Sequence, residues 1–226
     1  MRTPILLLIL AATSFAAPAQ PKGYDGQIGG TVGMSIPTGE FADTWGKEMF
    51  TFGGQLAIPS RRLPLQLGLA FGYGIMGKDV STVTVSDPSL LATEGQLTVK
   101  AKVLSYHPFL RFSPSKGRVR PYVDGLVGMR QFTTQSRVTV EGLDKPLSKE
   151  RNANDFALSS GWAAGLMIGL GEIGYIEARV ERFHSGKTTY VDPSSITTDS
   201  DGNVTFNTLN SATGAVNVLL GLGIRF

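Results

Sequence analysis

The sequence has no cysteine, so no disulfide staples the fold and no thiol is available as nucleophile, metal ligand or lipid acceptor. Only two histidines occur, and Asp, Glu, Lys and Arg together make up 17% of the residues, scattered rather than clustered. The net charge is +3, with no stripe of Lys and Arg interleaved with aromatics, which argues against nucleic acid as a partner. No apolar run approaches the roughly 18 residues that a membrane-spanning helix needs. What the chain does have is glycine, 28 of its 226 residues. Glycine weakens an ordinary strand, so its abundance here needs a physical cause.

The first residues read as a leader rather than as fold. Arg2 precedes a short apolar stretch at 5–12, and Ala17-Pro18-Ala19 places small residues where a signal peptidase reads them. We therefore expect a signal peptide at 1–19 and one β domain at 20–226.

The remainder alternates with period two. At the end of the chain Val216, Val218, Leu220, Leu222, Ile224 and Phe226 interleave with Ala215, Asn217, Gly221, Gly223 and Arg225, with Leu219 the one exception, over the length of a tilted strand crossing a bilayer. Leu65, Leu67, Leu69, Phe71 and Tyr73 alternate without error with Gln66, Gly68, Ala70, Gly72 and Gly74. Eight such segments can be traced, joined by three short turns and four longer polar stretches in strict alternation. One long stretch, about 77–96, contains Thr82-Val83-Thr84-Val85, which can extend its strand past the membrane; Pro108 marks a bulge or edge-like irregularity in the fourth segment. This pattern predicts an all-β fold: an eight-stranded antiparallel up-and-down transmembrane β-barrel. A secreted soluble barrel shows the same alternation with the faces exchanged. The small residues decide between them, because a water-facing surface has no use for glycine and a cramped eight-stranded lumen does.

On that parity the inward charges are Lys100, Lys102, Asp124, Arg130, Glu177, Arg179, Glu181 and Arg225, with Gln55, Gln66, Tyr106 and Asn217; the direction of Arg111 beyond Pro108 is left open. Mixed signs allow pairing in a low-dielectric interior, and the expectation is a polar plug rather than a selectivity filter. Aromatics near the strand ends are assigned to interfacial girdles: Phe52, Tyr73, Phe156, Trp162 and Phe183 at the outer level, Phe109, Tyr122, Tyr175 and Phe226 at the inner. Arg182 is placed at the outer rim, facing a lipopolysaccharide phosphate. His184-Ser185 is read as a strand end and not a catalytic pair, since adjacent strand residues point oppositely. The 199–203 stretch hints at a calcium loop but lacks the full ligand pattern; a hairpin turn between 196–198 and 204–206 suits Asp201-Gly202 better. No cofactor and no metal site is expected.

At Arg120-Pro121-Tyr122-Val123-Asp124-Gly125-Leu126-Val127-Gly128, and again at Gly221, Leu222, Gly223, Ile224, Arg225 and Phe226, the chain resembles the small outer-membrane β-barrel family that includes the OmpA-, OmpX- and OmpW-like barrels. The resemblance covers the mature chain as a pattern of strands and turns, and it does not extend to the peptidoglycan-binding domain of full-length OmpA. It implies a Gram-negative outer-membrane protein whose last strand, 221–226, is read by the outer-membrane assembly machinery. Outer-membrane lipid and lipopolysaccharide are the expected surroundings and the monomer the expected state. The function expected is structural or surface-interacting and non-enzymatic. The alternatives are a narrow channel or hydrophobic-solute conduit of the OmpW kind, and a lipid A-modifying hydrolase, whose His-x-Ser-Asn motif the His184-Ser185 pair does not match.

Overall fold

Alternation in the sequence becomes closure in space. The structure is a computed structural model and describes residues 26–60, 63–87, 90–115, 117–140, 148–192, 195, 197–198 and 204–226; the expected signal peptide and the 199–203 stretch lie outside the described residues. The elements are β1 (Gln27–Thr38), α1 (Glu40–Thr44), β2 (Met49–Pro59), β3 (Leu65–Asp87), β4 (Leu90–Phe112), β5 (Val119–Val140), β6 (Ser148–Leu170), β7 (Gly174–Ser185), β8 (Lys187–Val191), β9 (Thr197–Thr198), β10 (Val204–Thr205), β11 (Thr208–Ala212) and β12 (Gly214–Arg225). Strands β1–β7 pair antiparallel in chain order, and β12 joins β7 to β1, its register running from Gln27↔Arg225 to Thr38↔Gly214. Eight strands thus form a closed up-and-down barrel, and no backbone edge is left unpaired around its waist. The seam ends in a reciprocal pair of backbone hydrogen bonds, each 2.9 Å, between Gly26 and Phe226.

The faces settle which solvent surrounds the wall. Leu67, Val127, Leu220 and Leu222 on the outside are 67%, 64%, 66% and 72% exposed, whereas Asp124, Glu177 and Arg179 on the inside are 1%, 3% and 3% exposed. A water-soluble barrel would reverse this. The apolar outer band and the polar axis are those of an outer-membrane β-barrel, which crosses the bilayer with strands. Glycine does what a narrow bore requires. A Cβ on Gly68 would lie 2.1 Å from the Phe109 ring, and one on Gly165 would lie 2.2 Å from the Tyr122 hydroxyl. Both aromatic rings occupy space that the missing side chains vacate.

The strands are unequal. β1, β2, β7 and β12 have 12, 11, 12 and 12 residues, and β3, β4, β5 and β6 have 23, 23, 22 and 23. The extra length projects on the loop side, the outer side by the usual placement of short turns in the periplasm. The expected long loop at 77–96 is therefore mostly strand: β3 and β4 stay paired from Leu65↔Phe112 to Asp87↔Leu90, with a bulge between Ile75 and Gly77. Alternating β-branched residues at 82–85 continue the ladder in water as they would in lipid. No described strand pairs with the other edge of residues 77–87, because β2 leaves β3 at Phe50↔Ile75. In the last loop β9 pairs with β10 where a hairpin is expected, and β8 pairs with β11. Pro108 makes no bulge. The β4–β5 register is the same on both sides of it, from Tyr106↔Met129 to Phe109↔Leu126, while the ladder itself lapses at His107 and Pro108, the edge-like irregularity that is the other expectation.

Candidate functional site in the barrel lumen

The inward side chains form one connected network at mid-height. Arg111, absent from the expected inward set, is its centre and is fully buried. Its Nε and Nη2 donate to the two carboxylate oxygens of Asp124 at 2.8 and 3.0 Å. Its Nη1 donates to Gln27 Oε1 at 3.0 Å and its Nη2 to Gln55 Oε1 at 2.8 Å. The guanidinium also lies 3.8 Å from the centre of the Tyr122 ring, where the ring's negative face stabilises it. Strands β1, β2, β4 and β5 meet on this one side chain.

Arg179 bridges the same carboxylate to the next one. Its Nη1 donates to Asp124 Oδ2 and its Nε to Glu181 Oε1 at 2.7 Å, and Asn217 Nδ2 donates to the other Glu181 oxygen at 2.9 Å. Glu177 accepts from the Tyr122 hydroxyl and from Gln55 Nε2 and lies 3.9 Å from Arg111. Every carboxylate in the set faces a guanidinium, which offsets the several kcal/mol that burying each ion costs. Higher up, Arg130 Nη1 donates to the Thr213 carbonyl at 2.7 Å and its guanidinium lies 5.3 Å from the Phe132 ring centre. Arg225 stands apart from the network at the turn end, where its Nη2 reaches the carbonyls of Glu172 and Gly174 at 3.4 Å.

Three expected members are not in the lumen: Lys100, Lys102 and Tyr106. Lys100 is exposed and Lys102 half-buried on the outer face, while Leu97, Val99, Ala101 and Val103 of β4 are buried inside. Register confirms the parity, since Lys102 lies opposite the outward-facing Ile75. Tyr106 likewise points out and His107 points in. For the lysines the physical reason is height: above the bilayer, water is outside the wall and the mouth of the barrel is the dry place, so lysine and alanine exchange sides; Tyr106, lower on the same face, is an aromatic turned to lipid beside Phe71. Four aromatics assigned to girdles also turn inward. Phe109, Tyr122, Tyr175 and Phe183 are 2%, 2%, 1% and 3% exposed; Phe109 and Tyr122 pack against Arg111, and Phe183 stacks on His107 at 4.5 Å. Phe52, Tyr73, Phe156, Trp162 and Phe226 remain outside.

The outer mouth is filled by a second, apolar cluster. Phe41 and Trp45 from the β1–β2 connection pack with Met49, Met76, Ala101, Val103, Phe132 and Tyr190. Phe41 meets the rings of Phe132 and Tyr190 edge-on at 6.0 and 5.5 Å. Polar atoms pin this cover down: Tyr190 Oη and Ser211 Oγ are 2.9 Å apart, and Glu40 Oε2 accepts the Ala212 amide at 3.0 Å. Between cover and network lies a cavity of about 40 Å³ lined by Thr31, Thr51, Ser105, His107, Arg179 and Asn217. That is room for a water molecule or two and no larger solute. His184 is exposed on the outside, whereas Ser185 is buried and donates to Ser159 Oγ at 3.0 Å, so the two face opposite ways. Among the described residues no group of three His, Cys, Asp or Glu side chains is arranged to hold a metal ion.

No protein-family model matches the sequence, and no curated protein matches it. Solved structures do resemble it in fold. Neisserial surface protein A is 9% identical, with a TM-score of 0.45 over 89% of this chain and 97% of that one. Ail, the attachment invasion locus protein of Yersinia pestis, in complex with the heparin analogue sucrose octasulfate, is 15% identical, with a TM-score of 0.45 over 89% and 99%. A major outer membrane protein from Thermus thermophilus is 12% identical, with a TM-score of 0.44 over 89% and 99%. The eight-stranded closure stands on this chain's own strand pairing.

Proposed function

We propose that this outer-membrane barrel is a closed, non-conducting anchor that holds a projecting four-stranded sheet outside the cell as an interaction surface. The observation that carries the reading is the filled axis: a fully buried Arg111 tied to Asp124, Gln27 and Gln55, beneath an apolar cover built on Phe41 and Trp45. A conduit needs a continuous wet path or a continuous greasy one, and the stacking of an ionic layer under an apolar layer offers neither. The upper halves of β3–β6 supply the surface.

In this reading the chain works as a monomer surrounded by outer-membrane lipid and lipopolysaccharide. Residues 221–226 are its address for the assembly machinery. It is not an enzyme: the one candidate pair, His184 and Ser185, is split between the outer and inner faces of the wall.

The test is single-channel recording in planar bilayers with purified, refolded protein. No steady openings are expected, and steady unitary conductance by the unmodified chain overturns closure in favour of a narrow channel. Replacing Arg111 and Asp124 together with alanine is expected to produce flickering currents only once the mouth is also opened, for instance by removing Phe41 and Trp45.

A further inference from the structure

We propose that Lys78, Lys100 and Lys102, with Arg137, form a site on the outside of the barrel for the phosphorylated headgroup of an outer-leaflet lipid. The inference rests on the outer-membrane reading and is independent of whether the lumen is closed.

Register brings the cations together. Lys78 on β3 lies directly opposite Lys100 on β4, so their Cα atoms are about 5 Å apart and their side chains leave the same face. Lys102 follows two residues along β4 on that face, and Arg137 on β5 is opposite Thr98, one outward position beyond Lys100. Lys78, Lys100 and Arg137 are exposed and Lys102 is half-buried. Like charges directly opposite one another destabilise a sheet. Among the described residues no carboxylate forms an ion pair with any of the four. An arrangement that repels itself in the free protein is one that an anion relieves.

Height says which anion. From Phe112 at the turn end of β4 the strand climbs to Lys102 with Leu110, Tyr106 and Leu104 facing out, a rise of about 25 Å for a tilted strand, which is the height of the apolar band in such barrels. On β3 the outward positions Tyr73 and Ile75 are apolar up to Lys78, above which Val80 is the one further exposed apolar side chain among the described residues. The cations therefore stand at the upper margin of the hydrocarbon. Directly beneath them Phe71 and Tyr106 pack edge to face at 5.7 Å, beside Ile75 and Leu104, and form a ridge for acyl chains. A free anion would use the top of this surface only. A lipid uses both halves, and several cations across three strands suit a headgroup with more than one phosphate.

The test uses the full mature chain, refolded into phosphatidylcholine vesicles alone, or vesicles doped with bis-phosphorylated lipid A or with an equal charge of phosphatidylglycerol. The unfolding midpoint is followed for the wild type and for the triple variant Lys78→Gln, Lys100→Gln, Lys102→Gln. In phosphatidylcholine the variant is expected to match or exceed the wild type, because repulsion has been removed. Lipid A should raise the wild-type midpoint, and its apparent affinity should fall about fivefold per lysine removed, roughly a hundredfold in the triple variant. Should the triple variant not fold, Lys100→Gln alone carries the test through its fivefold shift. Equal stabilisation of variant and wild type by lipid A overturns the site. So does phosphatidylglycerol matching lipid A, which would mean diffuse attraction, or soluble pyrophosphate protecting as well as lipid A, which would mean an anion site without a lipid.

Discussion

Arg111 holds its neighbours in register through charge, and its removal is expected to cost more than any single apolar truncation nearby. Arg111→Met leaves Asp124 buried with only Arg179 as counter-ion, and Glu177 without its nearest cation. A loss of about 3–5 kcal/mol is expected in urea unfolding from vesicles. The double variant Arg111→Met, Asp124→Leu removes both charges, and part of that loss should return. Equal instability of the two variants would mean that packing, not charge, fixes the layer. At this scale the sequence is readable where one rule applies. Asp124, Glu177, Arg179 and Glu181 follow from it because outward positions in hydrocarbon must be apolar. Lys100 and Lys102 come out on the wrong face because the same rule, carried past the membrane, inverts. Arg111 stays ambiguous because its strand carries both regimes, and nothing local to Pro108 tells where one gives way to the other. Counting residues upward from Phe112 locates the change.

The elements divide in the same way. Strand existence, order and pairing follow from alternation alone, since a period of two over ten residues with strict turn spacing admits few other folds. Strand length does not, because β3–β6 run on into water on polar, β-branched sequence that reads equally well as loop. The mouth cover is not legible either. Phe41, Trp45 and Tyr190 come from distant connections, and only closure of the barrel brings them together. Phe41→Ala is expected to loosen this cover, with Trp45 fluorescence shifting to the red, while the barrel stays closed to ions because the network beneath is intact. An unchanged Trp45 spectrum would argue that the cover is held by its hydrogen bonds. The β8–β11 hairpin has its own anchor, the Thr189 amide donating to Asp155 Oδ2 at 2.7 Å. Asp155→Asn should speed hydrogen exchange at Thr189 and leave the exchange of β12 amides unaltered.

For the molecule as a whole, the seam between β12 and β1 carries both a structural and a biogenetic reading, and they can be separated. Deleting Phe226 removes its reciprocal hydrogen bonds with Gly26 and the last aromatic of the closing strand. Refolding into pure lipid vesicles is expected to proceed at close to the wild-type rate, while the acceleration provided by reconstituted assembly machinery is lost. Equal acceleration of both chains would remove residues 221–226 as an address.

Four adjacent strands are about twice as long as the other four. Seen from the plane of the membrane the wall therefore rises as unbroken barrel strand on one flank, while above the shorter strands stand α1 and the β8–β11 pair, and rotation about the bilayer normal changes what a neighbour meets. A partner that packs on the tall sheet approaches from one compass bearing, and a lipid held at the foot of those strands would stand where it arrives.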